Sequence, residues 1–312
     1  MNAVVERRRE SGELALILDD AVAATARQAR SFPAWHFRMM NDDERNWAIE
    51  SSIASLDLEN KIVFEVGTGC GLIALLFAKY GARHVYTCEA NPQMAEVAQS
   101  IIGPSEFANK ITVLAMPSSE VLDRGLLPGT PDVIFTETLD TAVLGEGFIS
   151  IAADISRLAG PDTIVMPRAV RQYCVPIESE DITGLNRVST ACGFDLSALN
   201  AFSTVNFLSV ESRLYDLRHM AEEMLIRTYS YRSVLPPVPC VFEIENDGQL
   251  HGFLSWFKAD FGYGVVTNKP GMRSHWKQAF HPLHDVTKVK RGDRLTVLFD
   301  DSGAAVVSRL VR

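Results

Sequence analysis

Three carboxylates lie close together in the segment TETLDTAVLGEG, which spans residues 136–147. Glu137 and Glu146 stand nine residues apart with Asp140 between them, and the apolar run at 133–135 is typical of the end of a buried strand. Carboxylates beside a buried strand are costly unless a cation pairs with them. Two carboxylates can form a fork for a planar cation with several fixed N–H donors, so guanidinium fits better than ammonium. The alternative is a loop with two solvated acids.

A guanidinium that reacts in this loop needs help, because it is a poor nucleophile. Its pKa lies near 13.8, so only about one molecule in 10⁶–10⁷ is neutral at pH 7. One carboxylate can localise the positive charge on the nitrogens that do not react. The other can orient the reacting nitrogen and accept its proton as the new bond forms. The sequence therefore predicts Glu137 and Glu146 as catalytic residues.

Three glycines, Gly67, Gly69 and Gly71, stand between a strand pattern and a helix pattern in EVGTGCGLIALLFAKYGA. Glycines at this point let backbone N–H groups approach a ligand at a helix N-terminus. A dinucleotide fingerprint would need its third glycine at position 72, which is Leu72, so the spacing favours S-adenosylmethionine. Glu89 ends the next strand, where a carboxylate can bind both ribose hydroxyls. A tight turn with a surface glutamate is the alternative interpretation.

A short polar turn, Ser118-Ser119-Glu120, follows the third predicted strand. In sheets of this kind that position binds the amino group of adenine, but the same serines can also cap a helix. Both interpretations stay open at this point. Glu65, in the strand before the glycines, completes the candidate cofactor-binding residues of the sheet.

Short apolar runs alternate with helical patterns between residues 61 and 177, and this alternation predicts the elements that position these loops. The predicted strands lie at 62–66, 84–89, 111–115, 132–137 and about 163–166, and the predicted helices at 71–80, 92–102 and 147–159. The order predicts an α/β fold with a doubly wound, Rossmann-like parallel sheet. Ligands bind at the carboxyl ends of such strands, where the glycines and the acidic segment both fall. Two amphipathic helices, at 12–30 and 42–56, are predicted before the sheet, on either side of a kink at Phe32-Pro33.

The pattern changes after residue 177. Segments with the composition of strands lie at 203–209, 221–235, 239–245, 250–258, 261–267 and 294–300, and only 213–224 looks helical. Gly and Pro separate these segments, so the sequence predicts an antiparallel second domain, a sheet or a barrel.

The composition limits the classes of protein. The chain has 312 residues, of which 47% are hydrophobic and 22% charged, and its net charge is −9. These values are ordinary for a globular protein, and the negative charge disfavours a general nucleic-acid surface. The five cysteines show neither a CxxC pair nor metal-ligand spacing, so no metal site is predicted. Without a pattern for a signal peptide or a membrane span of about 18 apolar residues, we predict a cytoplasmic protein.

Three segments together resemble the protein arginine N-methyltransferase family. TETLDTAVLGEG looks like the double-glutamate loop of that family, and SHWKQ at 274–278 resembles its Thr-His-Trp loop with Ser274 in place of threonine. FRMMNDDERN at 37–46 resembles its N-terminal helix. The resemblance covers roughly residues 35–312. The segment at 31–36 departs from the tyrosine-rich cover that often lies over the donor in this family.

The resemblance implies roles for further residues. It implies that Arg45 binds the carboxylate of the methyl donor and that Met39 lies near the donor's methyl group. It also implies that His275 braces the acidic loop and helps to close the arginine pocket, a catalytic role. The expected substrate-pocket residues are Asp140, Phe148 and Trp276, of which Trp276 is expected to pack rather than to react.

The segment LDTAVLGEG resembles the corresponding loop of the monomethylating branch of the family. The chain also resembles compact bacterial enzymes that methylate free L-arginine in nitrosourea (streptozotocin-type) biosynthesis. The expected reaction therefore places one methyl group on a terminal guanidino nitrogen of free L-arginine. A narrow pocket bounded by Met39, Leu139 and Phe148 is expected to limit the reaction to one methyl. The alternatives are an arginine in a protein as the acceptor, and an inactive dimeric scaffold. A dehydrogenase is disfavoured by the glycine spacing.

The resemblance also implies a domain organisation. Helices at 1–60 cover the cofactor site, 61–177 form the S-adenosylmethionine-binding domain, and 178–312 form a β-barrel. A dimerisation arm is expected near 193–214, because family members usually dimerise through an arm inserted early in the barrel. We therefore expect a homodimer that acts on arginine, without a nucleic-acid or membrane partner.

Overall fold

The structure is a computed structural model, and it describes residues 4–8, 14–18, 34–233, 235–302 and 304–311. The chain divides into two units, Met1–Asp42 and Asp43–Arg312. Within the described ranges, every helix is too short or too polar to cross a membrane.

The N-terminal unit contains a β-hairpin and a short helix. Strand β1 (Val4–Arg8) pairs antiparallel with β2 (Leu14–Leu18), and helix α1 spans Trp35–Met40. The helix predicted at 12–30 is therefore wrong at 14–18, and the rest of that prediction and the Phe32-Pro33 kink lie outside the described residues. A five-residue apolar run fits a helix or a strand equally well, and only the partner strand decides between them.

Helix α2 (Asp43–Ala54) opens the second unit and confirms the helix predicted at 42–56. Its buried face contacts a turn of the later antiparallel domain, where the Gly264 N–H donates to Ser52 Oγ at 2.8 Å. A Cβ atom on Gly264 would lie 2.3 Å from the Ala48 carbonyl oxygen, so glycine is required for this close approach. The contact fixes the helix that carries Arg45.

Five parallel strands form the central sheet. They are β3 (Ile62–Val66), β4 (His84–Cys88), β5 (Ile111–Leu114), β6 (Val133–Thr136) and β7 (Ile164–Met166), in the order β5-β4-β3-β6-β7. All five predicted strands are thus confirmed, and their apolar composition reflects burial on both faces of the sheet. The chain proceeds from β3 to one side of the sheet and returns at β6 on the other. A crevice therefore opens between the carboxyl ends of β3 and β6.

Helices connect these strands and confirm the α/β prediction. They are α3 (Leu72–Lys79), α4 (Pro92–Ile102), α5 (Ser118–Asp123) and α6 (Phe148–Leu158). Local sequence explains where α4 begins, because the Asn91 side chain accepts the Gln93 N–H at 3.0 Å and Pro92 occupies the first helical position. Helix α6 begins after Gly147, whose positive φ of 81° turns the chain out of the loop that follows β6.

Antiparallel strands make up the second half of the unit. They are β8 (Ala169–Glu178), β9 (Thr190–Ala191), β10 (Phe194–Asp195), β11 (Leu208–Val210), β12 (Arg218–His219), β13 (Met224–Tyr229), β14 (Cys240–Glu243), β15 (Gly248–Asp260), β16 (Val265–Thr267), β17 (Gln278–Val289), β18 (Arg294–Phe299) and β19 (Ala305–Val311), with a short helix α7 (Glu180–Thr183). One sheet has the order β11-β17-β15-β8-β12, with β13 beside β8 and β16 beside β15. A second sheet has the order β14-β18-β19. The predicted antiparallel second domain is confirmed, and we refer to it as the barrel.

Two details of the prediction for this half differ from the structure. The antiparallel sheet begins at β8, before the expected boundary at 177, because β8 pairs along its length with β15. The helix predicted at 213–224 is wrong: this segment contains the 3₁₀ turn at Ser212–Leu214, strand β12 and the start of β13. Both β12 and β13 pair with β8, and that long-range pairing overrides the local helical pattern.

The segment 186–205 projects from this sheet and is closed at its base by two asparagines. Asn186 exchanges two hydrogen bonds with the Thr204 main chain, each of 2.9 Å. Asn200 does the same with the Val188 main chain, again at 2.9 Å. We call this segment the arm. It overlaps the position expected for a dimerisation arm, near 193–214.

One hydrophobic core joins the parallel sheet to the barrel. Phe135 of β6 stacks on Phe261, with ring centroids 5.6 Å apart, and Tyr231, Phe257 and Trp276 extend the same core. Full burial of one such side chain contributes roughly 1.5–3 kcal/mol. This packing brings barrel side chains to the carboxyl edge of the parallel sheet, beside the loop that follows β6.

Candidate active site

The glycine loop between β3 and α3 has the backbone that its composition requires. Gly67, Gly69 and Gly71 have φ values of 91°, 52° and 90°, a region that disfavours residues with a side chain. A Cβ on Gly71 would also lie 2.9 Å from Ile102 of helix α4. The positive φ values close a tight turn, in which the N–H groups of Gly67 and Gly71 donate to the carbonyl oxygens of Cys88 and Thr68, each at 2.9 Å. The contact of this turn with a cofactor stays a prediction.

Glu89 stands at the mouth of this loop. Its Oε2 accepts the Gly69 N–H at 3.0 Å, and its Oε1 accepts the Asn91 N–H at 2.9 Å. A carboxylate has about four lone-pair sites, so two main-chain bonds leave room for two hydroxyl donors. The geometry is consistent with the predicted ribose-binding role.

Glu65 lies at the buried centre of the sheet. It is 1% exposed, and the Thr87 hydroxyl donates to its Oε2 at 2.6 Å. Burial is the main cause that raises its pKa from 4.5 to about 8; the hydrogen bond from Thr87 opposes this shift, and the charge of Glu89 adds to it. Glu65 therefore carries a proton in most molecules at neutral pH when only protein groups surround it.

The three polar residues of the turn after β5 have different surroundings. The Ser118 hydroxyl donates to Asp154 Oδ2 of helix α6 at 2.7 Å, and both side chains are buried. Ser119 and Glu120 are exposed, and Glu120 pairs with Arg124 at 3.0 Å. No side chain caps α5, whose N-cap residue is a proline, so the helix-cap interpretation of these serines is wrong. Their predicted contact with adenine stays a prediction.

A buried ion pair joins helix α2 to the loop that follows β6, residues 136–147, which we call the acidic loop. Arg45 Nε donates to Glu137 Oε2 at 3.0 Å, Nη2 donates to the same oxygen, and both side chains are at most 5% exposed. Arg45 Nη1 also donates to Asn46 Oδ1 at 2.8 Å. Sequence reasoning assigned Arg45 and Glu137 to different ligands and missed this pair, because the two residues lie 92 positions apart.

The second glutamate of the acidic loop has a different environment. Glu146 reaches solvent, yet desolvation by the loop raises its pKa from 4.5 to about 7, and the negative charges of Glu137 and Asp140 act in the same direction. Glu137 is held by a cation, whereas Glu146 can gain or lose a proton near neutral pH. Two carboxylates in such different environments are suited to different roles in one reaction.

Asp140 organises the acidic loop from within. Its Oδ1 accepts the Ala142 N–H at 3.1 Å, and a Cβ on Gly145 would lie 2.1 Å from its Oδ2. Burial raises the pKa of Asp140, opposed by hydrogen bonds from main-chain N–H groups of the loop, that of Gly145 first. The structure thus shows Asp140 bracing the loop, and its place among the substrate-pocket residues stays a prediction.

The barrel contributes Trp276 to the acidic loop. Trp276 Nε1 donates to the Leu139 carbonyl oxygen at 2.7 Å, and its ring meets Phe257 edge to face, with centroids 5.2 Å apart. The His275 ring lies against Trp276 at 3.7 Å. Trp276 packs, as expected, and it also braces the loop directly, a role that the resemblance assigned to His275.

Tyr231 was missed in the sequence. Its hydroxyl lies 3.3 Å from Thr138 Oγ1, and its ring lies 4.1 Å from that of Phe148. Burial raises its pKa far above the ordinary value, and the charges of Glu137 and Glu146 add to that effect, so the phenol stays neutral. No local motif marks Tyr231, because it follows an ordinary barrel strand.

Two predicted pocket walls, Phe148 and Leu139, are core residues in this structure. Phe148 is fully buried under Tyr231 and Tyr229, and Leu139 is 1% exposed. They therefore support the acidic loop from beneath rather than face solvent. Met39, on helix α1 of the N-terminal unit, is half-buried there, and its contact with the cofactor stays a prediction.

The two loops meet in the crevice between β3 and β6. A Cβ on Gly67 would lie 3.1 Å from Thr138 Cγ2, so the glycine loop and the acidic loop are in close contact. A parallel sheet with a glycine turn and a carboxylate at its edge, facing an acidic loop, is the arrangement of an S-adenosylmethionine-dependent methyltransferase. Comparison with known proteins narrows this class. The chain belongs to the arginine N-methyltransferase family.

The relatives that support this assignment cover most of the chain. An arginine N(omega)-methyltransferase of Streptomyces achromogenes subsp. streptozoticus is 34% identical over 307 residues, which are 95% of this chain and 84% of that protein. Protein arginine N-methyltransferase 9 of Mus musculus is 25% identical over 84% of this chain but only 36% of its own length. No protein-family model matches the sequence.

Solved structures agree on the fold. The Trypanosoma brucei PRMT1 enzyme-prozyme heterotetrameric complex with AdoHcy superposes with a TM-score of 0.73 at 20% identity, covering 86% of this chain and 88% of that one. Arabidopsis thaliana protein arginine methyltransferase 10 gives a TM-score of 0.66 at 20% identity, covering 83% and 85%. These structures show the fold, and the 34% identity to the Streptomyces achromogenes relative makes the chain an arginine N-methyltransferase, with S-adenosylmethionine as its cofactor.

Proposed function

We propose that the protein transfers one methyl group from S-adenosylmethionine to a terminal guanidino nitrogen of free L-arginine, giving Nω-monomethyl-L-arginine. The observation that carries the proposal is the acidic loop, in which Glu137 holds a guanidinium and Glu146 titrates near pH 7. The relative from Streptomyces achromogenes supports arginine itself as the acceptor, since its name specifies no protein.

Glu137 is the residue that orients the acceptor. Both contacts from Arg45 go to Oε2, so Oε1 can receive the N–H groups of a second guanidinium. Arg45 also keeps the carboxylate in one orientation, because its planar fork has fixed donor directions. A carboxylate held in this way stabilises positive charge on the guanidino nitrogens that do not react, without having to reorganise during the reaction.

Glu146 is the proton acceptor. When bound, S-adenosylmethionine supplies an electrophilic methyl group on its sulfonium. The guanidino nitrogen forms a bond to that methyl carbon as the carbon–sulfur bond breaks, and the electron pair of the broken bond stays on sulfur. The proton displaced from nitrogen passes to Glu146. An acceptor with a pKa of about 7 is well matched to work near neutral pH.

Free L-arginine differs from a protein arginine by its α-ammonium and α-carboxylate. A site built for both charges leaves its own polar groups unpaired when the ends are blocked, which costs about 1–3 kcal/mol each. We therefore expect kcat/KM for L-arginine to exceed that for N-acetyl-arginine amide by at least about 100-fold, equivalent to roughly 2.7 kcal/mol. Similar values for the two, or a preference for arginine-rich peptides, would assign the enzyme to protein modification instead.

The number of methyl groups transferred is tested by analysing the products formed from L-arginine. Mass spectrometry after long incubation with fresh enzyme is expected to find monomethylarginine alone. Accumulation of dimethylarginine would contradict the monomethyl proposal. Absence of any methylated product, with donor binding intact, would favour the inactive scaffold. A place in natural-product biosynthesis and a cytoplasmic location stay predictions.

A homodimer formed through the arm completes the proposal. Phe194, Leu199 and Phe202 are 71%, 59% and 87% exposed, although the base of the arm is held by Asn186 and Asn200. A preorganised segment with exposed aromatic side chains suits a contact with a second copy of the chain. We expect sedimentation to show a dimer in the wild-type protein and a monomer after Phe202→Glu. A monomer in both would contradict this role.

A further inference from the structure

Two barrel side chains donate hydrogen bonds to the main chain of the acidic loop. Trp276 Nε1 donates to the Leu139 carbonyl oxygen at 2.7 Å, and Asn268 Nδ2 donates to the Thr141 carbonyl oxygen at 3.3 Å. The two carbonyl groups lie on either side of Asp140 in the sequence. Trp276 belongs to the SHWKQ segment, whereas no motif in the sequence marks Asn268.

The Asn268 amide has one orientation that suits its surroundings. Its Oδ1 accepts the Phe257 N–H at 2.6 Å, and its Nδ2 donates to the Lys277 carbonyl oxygen at 2.6 Å in addition to Thr141. Turning the amide over would place its NH₂ group against an N–H and its oxygen against two carbonyls. Because Asn268 is fully buried, solvent does not compensate for such a change. The donor is therefore directed at the acidic loop.

A second buried amide holds Asn268 in place. Gln278 Nε2 donates to the Asn268 carbonyl oxygen at 2.8 Å. Gln278 Oε1 in turn accepts the N–H and the hydroxyl of Ser212, at 3.1 Å and 2.7 Å. Asn268 is thus the end of a rigid polar network within the barrel, and through it the network reaches the acidic loop.

The acidic loop has a backbone that needs such support. Val143 has a φ of +83°, a left-handed conformation that a β-branched residue rarely adopts. Strain of this kind persists only where the surrounding structure maintains it. Val143 lies in the sequence between the carbonyl group that Asn268 holds and the catalytic candidate Glu146.

We propose that Asn268 is a positioning residue for methyl transfer, which holds the Thr141 carbonyl and thereby keeps Glu146 where it accepts the guanidino proton. The inference rests on the proposed function, because it assigns Asn268 a part in the same site. Asn268 acts through the acidic loop, so its loss affects turnover more than donor binding.

Asn268→Asp is the most specific test. The aspartate keeps an oxygen for the Phe257 N–H but places a second oxygen against the Thr141 carbonyl, which repels the acidic loop. We expect kcat to fall at least tenfold, while KM for L-arginine and the calorimetric Kd for S-adenosylmethionine change less than twofold. Asn268→Ser, which removes the donor without adding charge, should lower kcat in the same way.

Gln172→Glu is the matched control. Gln172 is also a buried amide of the barrel, and its Oε1 accepts the Tyr229 hydroxyl at 2.7 Å. The same change from amide to acid there should lower Tm comparably and leave kcat near the wild-type value. An equal loss of kcat in Gln172→Glu would overturn the inference, because general destabilisation would then explain both variants.

The pH profile separates positioning from a purely structural role. A loosened loop increases the hydration of Glu146, so its pKa should fall from about 7 toward the ordinary value of 4.5. The rising limb of kcat/KM should therefore shift to lower pH in Asn268→Ser, which adds no charge beside the acidic loop. A limb that stays near pH 7, or a folded variant with wild-type kcat, would overturn the inference.

A measurement on the wild-type protein covers the case in which the variants do not fold. With ¹⁵N-labelled asparagine, the Asn268 side-chain NH₂ signals should exchange slowly with solvent and shift when L-arginine is added. Fast exchange, or no shift at saturating L-arginine, would overturn the inference. Absence of methylated arginine with the wild-type enzyme would instead refute the proposed function, so the two failures are distinguishable.

Discussion

Glu146 must be ionised to accept a proton, and this requirement should make turnover depend on pH near neutrality. Desolvation raises its pKa from 4.5 to about 7, and the charges of Glu137 and Asp140 contribute in the same direction. A group with that pKa is ionised in about one molecule in eleven at pH 6 and in about ten of eleven at pH 8. We therefore expect kcat/KM for L-arginine to rise about tenfold between pH 6 and pH 8.

Removing a neighbouring charge should move this profile in a predictable direction. Asp140→Asn removes one of the charges that raise the pKa of Glu146 and keeps an oxygen for the Ala142 N–H, so the rising limb should shift to lower pH. Glu243→Gln, a change at an exposed acid of β14, is the control and should leave the limb in place.

The assay measures methylated arginine by mass spectrometry over a series of pH values. Donor saturation is checked at each pH, because Glu65, which is predicted to contact the donor, has its own raised pKa of about 8. A flat or falling profile between pH 6 and pH 8 would refute the assignment of Glu146 as the proton acceptor. An unchanged limb in Asp140→Asn would show that the charge of Asp140 does not contribute to the raised pKa of Glu146.

Three further predictions concern the neighbours of this group. Arg45→Met and Glu137→Gln should each lower the free energy of unfolding by about 3–5 kcal/mol, because each removes one charge of a buried ion pair. The double variant should recover part of the loss, and additive losses in denaturant unfolding would argue against the pair. Glu89→Ala should weaken donor binding by about 1.5–3 kcal/mol in calorimetry. Unchanged affinity would contradict the prediction that Glu89 binds the ribose hydroxyls. Gly67 has a φ of 91° and lies against the acidic loop, so Gly67→Ala should lower both Tm and donor affinity. Gly125→Ala is the control: Gly125 has a φ of 61° but open space around it, so donor affinity should stay unchanged.

Local sequence patterns were sufficient for the parallel sheet and its loops. Strands β3 to β7 are short apolar runs between helical patterns, so their type and order follow from periodicity. The glycines at 67, 69 and 71 have positive φ, and the residues after β6 are acidic, so the two loops that meet in the crevice are both visible in the sequence. At 14–18 and 213–224 the local pattern wrongly predicted a helix, because pairing with another strand decides the structure there.

The side-chain contacts of the site were decided by the tertiary structure alone. Arg45 meets Glu137 across 92 positions, Thr138 meets Tyr231 across 93, and Asn268 meets Thr141 across 127. These separations carry no periodic signal, because they arise when barrel strands pair with one another and pack against the sheet. The sequence by itself determined which residues could do chemistry and on which edge of the sheet they lie. The long-range packing determined which carboxylate is held by a cation and which is left to titrate, since burial and neighbouring charge are properties of the folded chain.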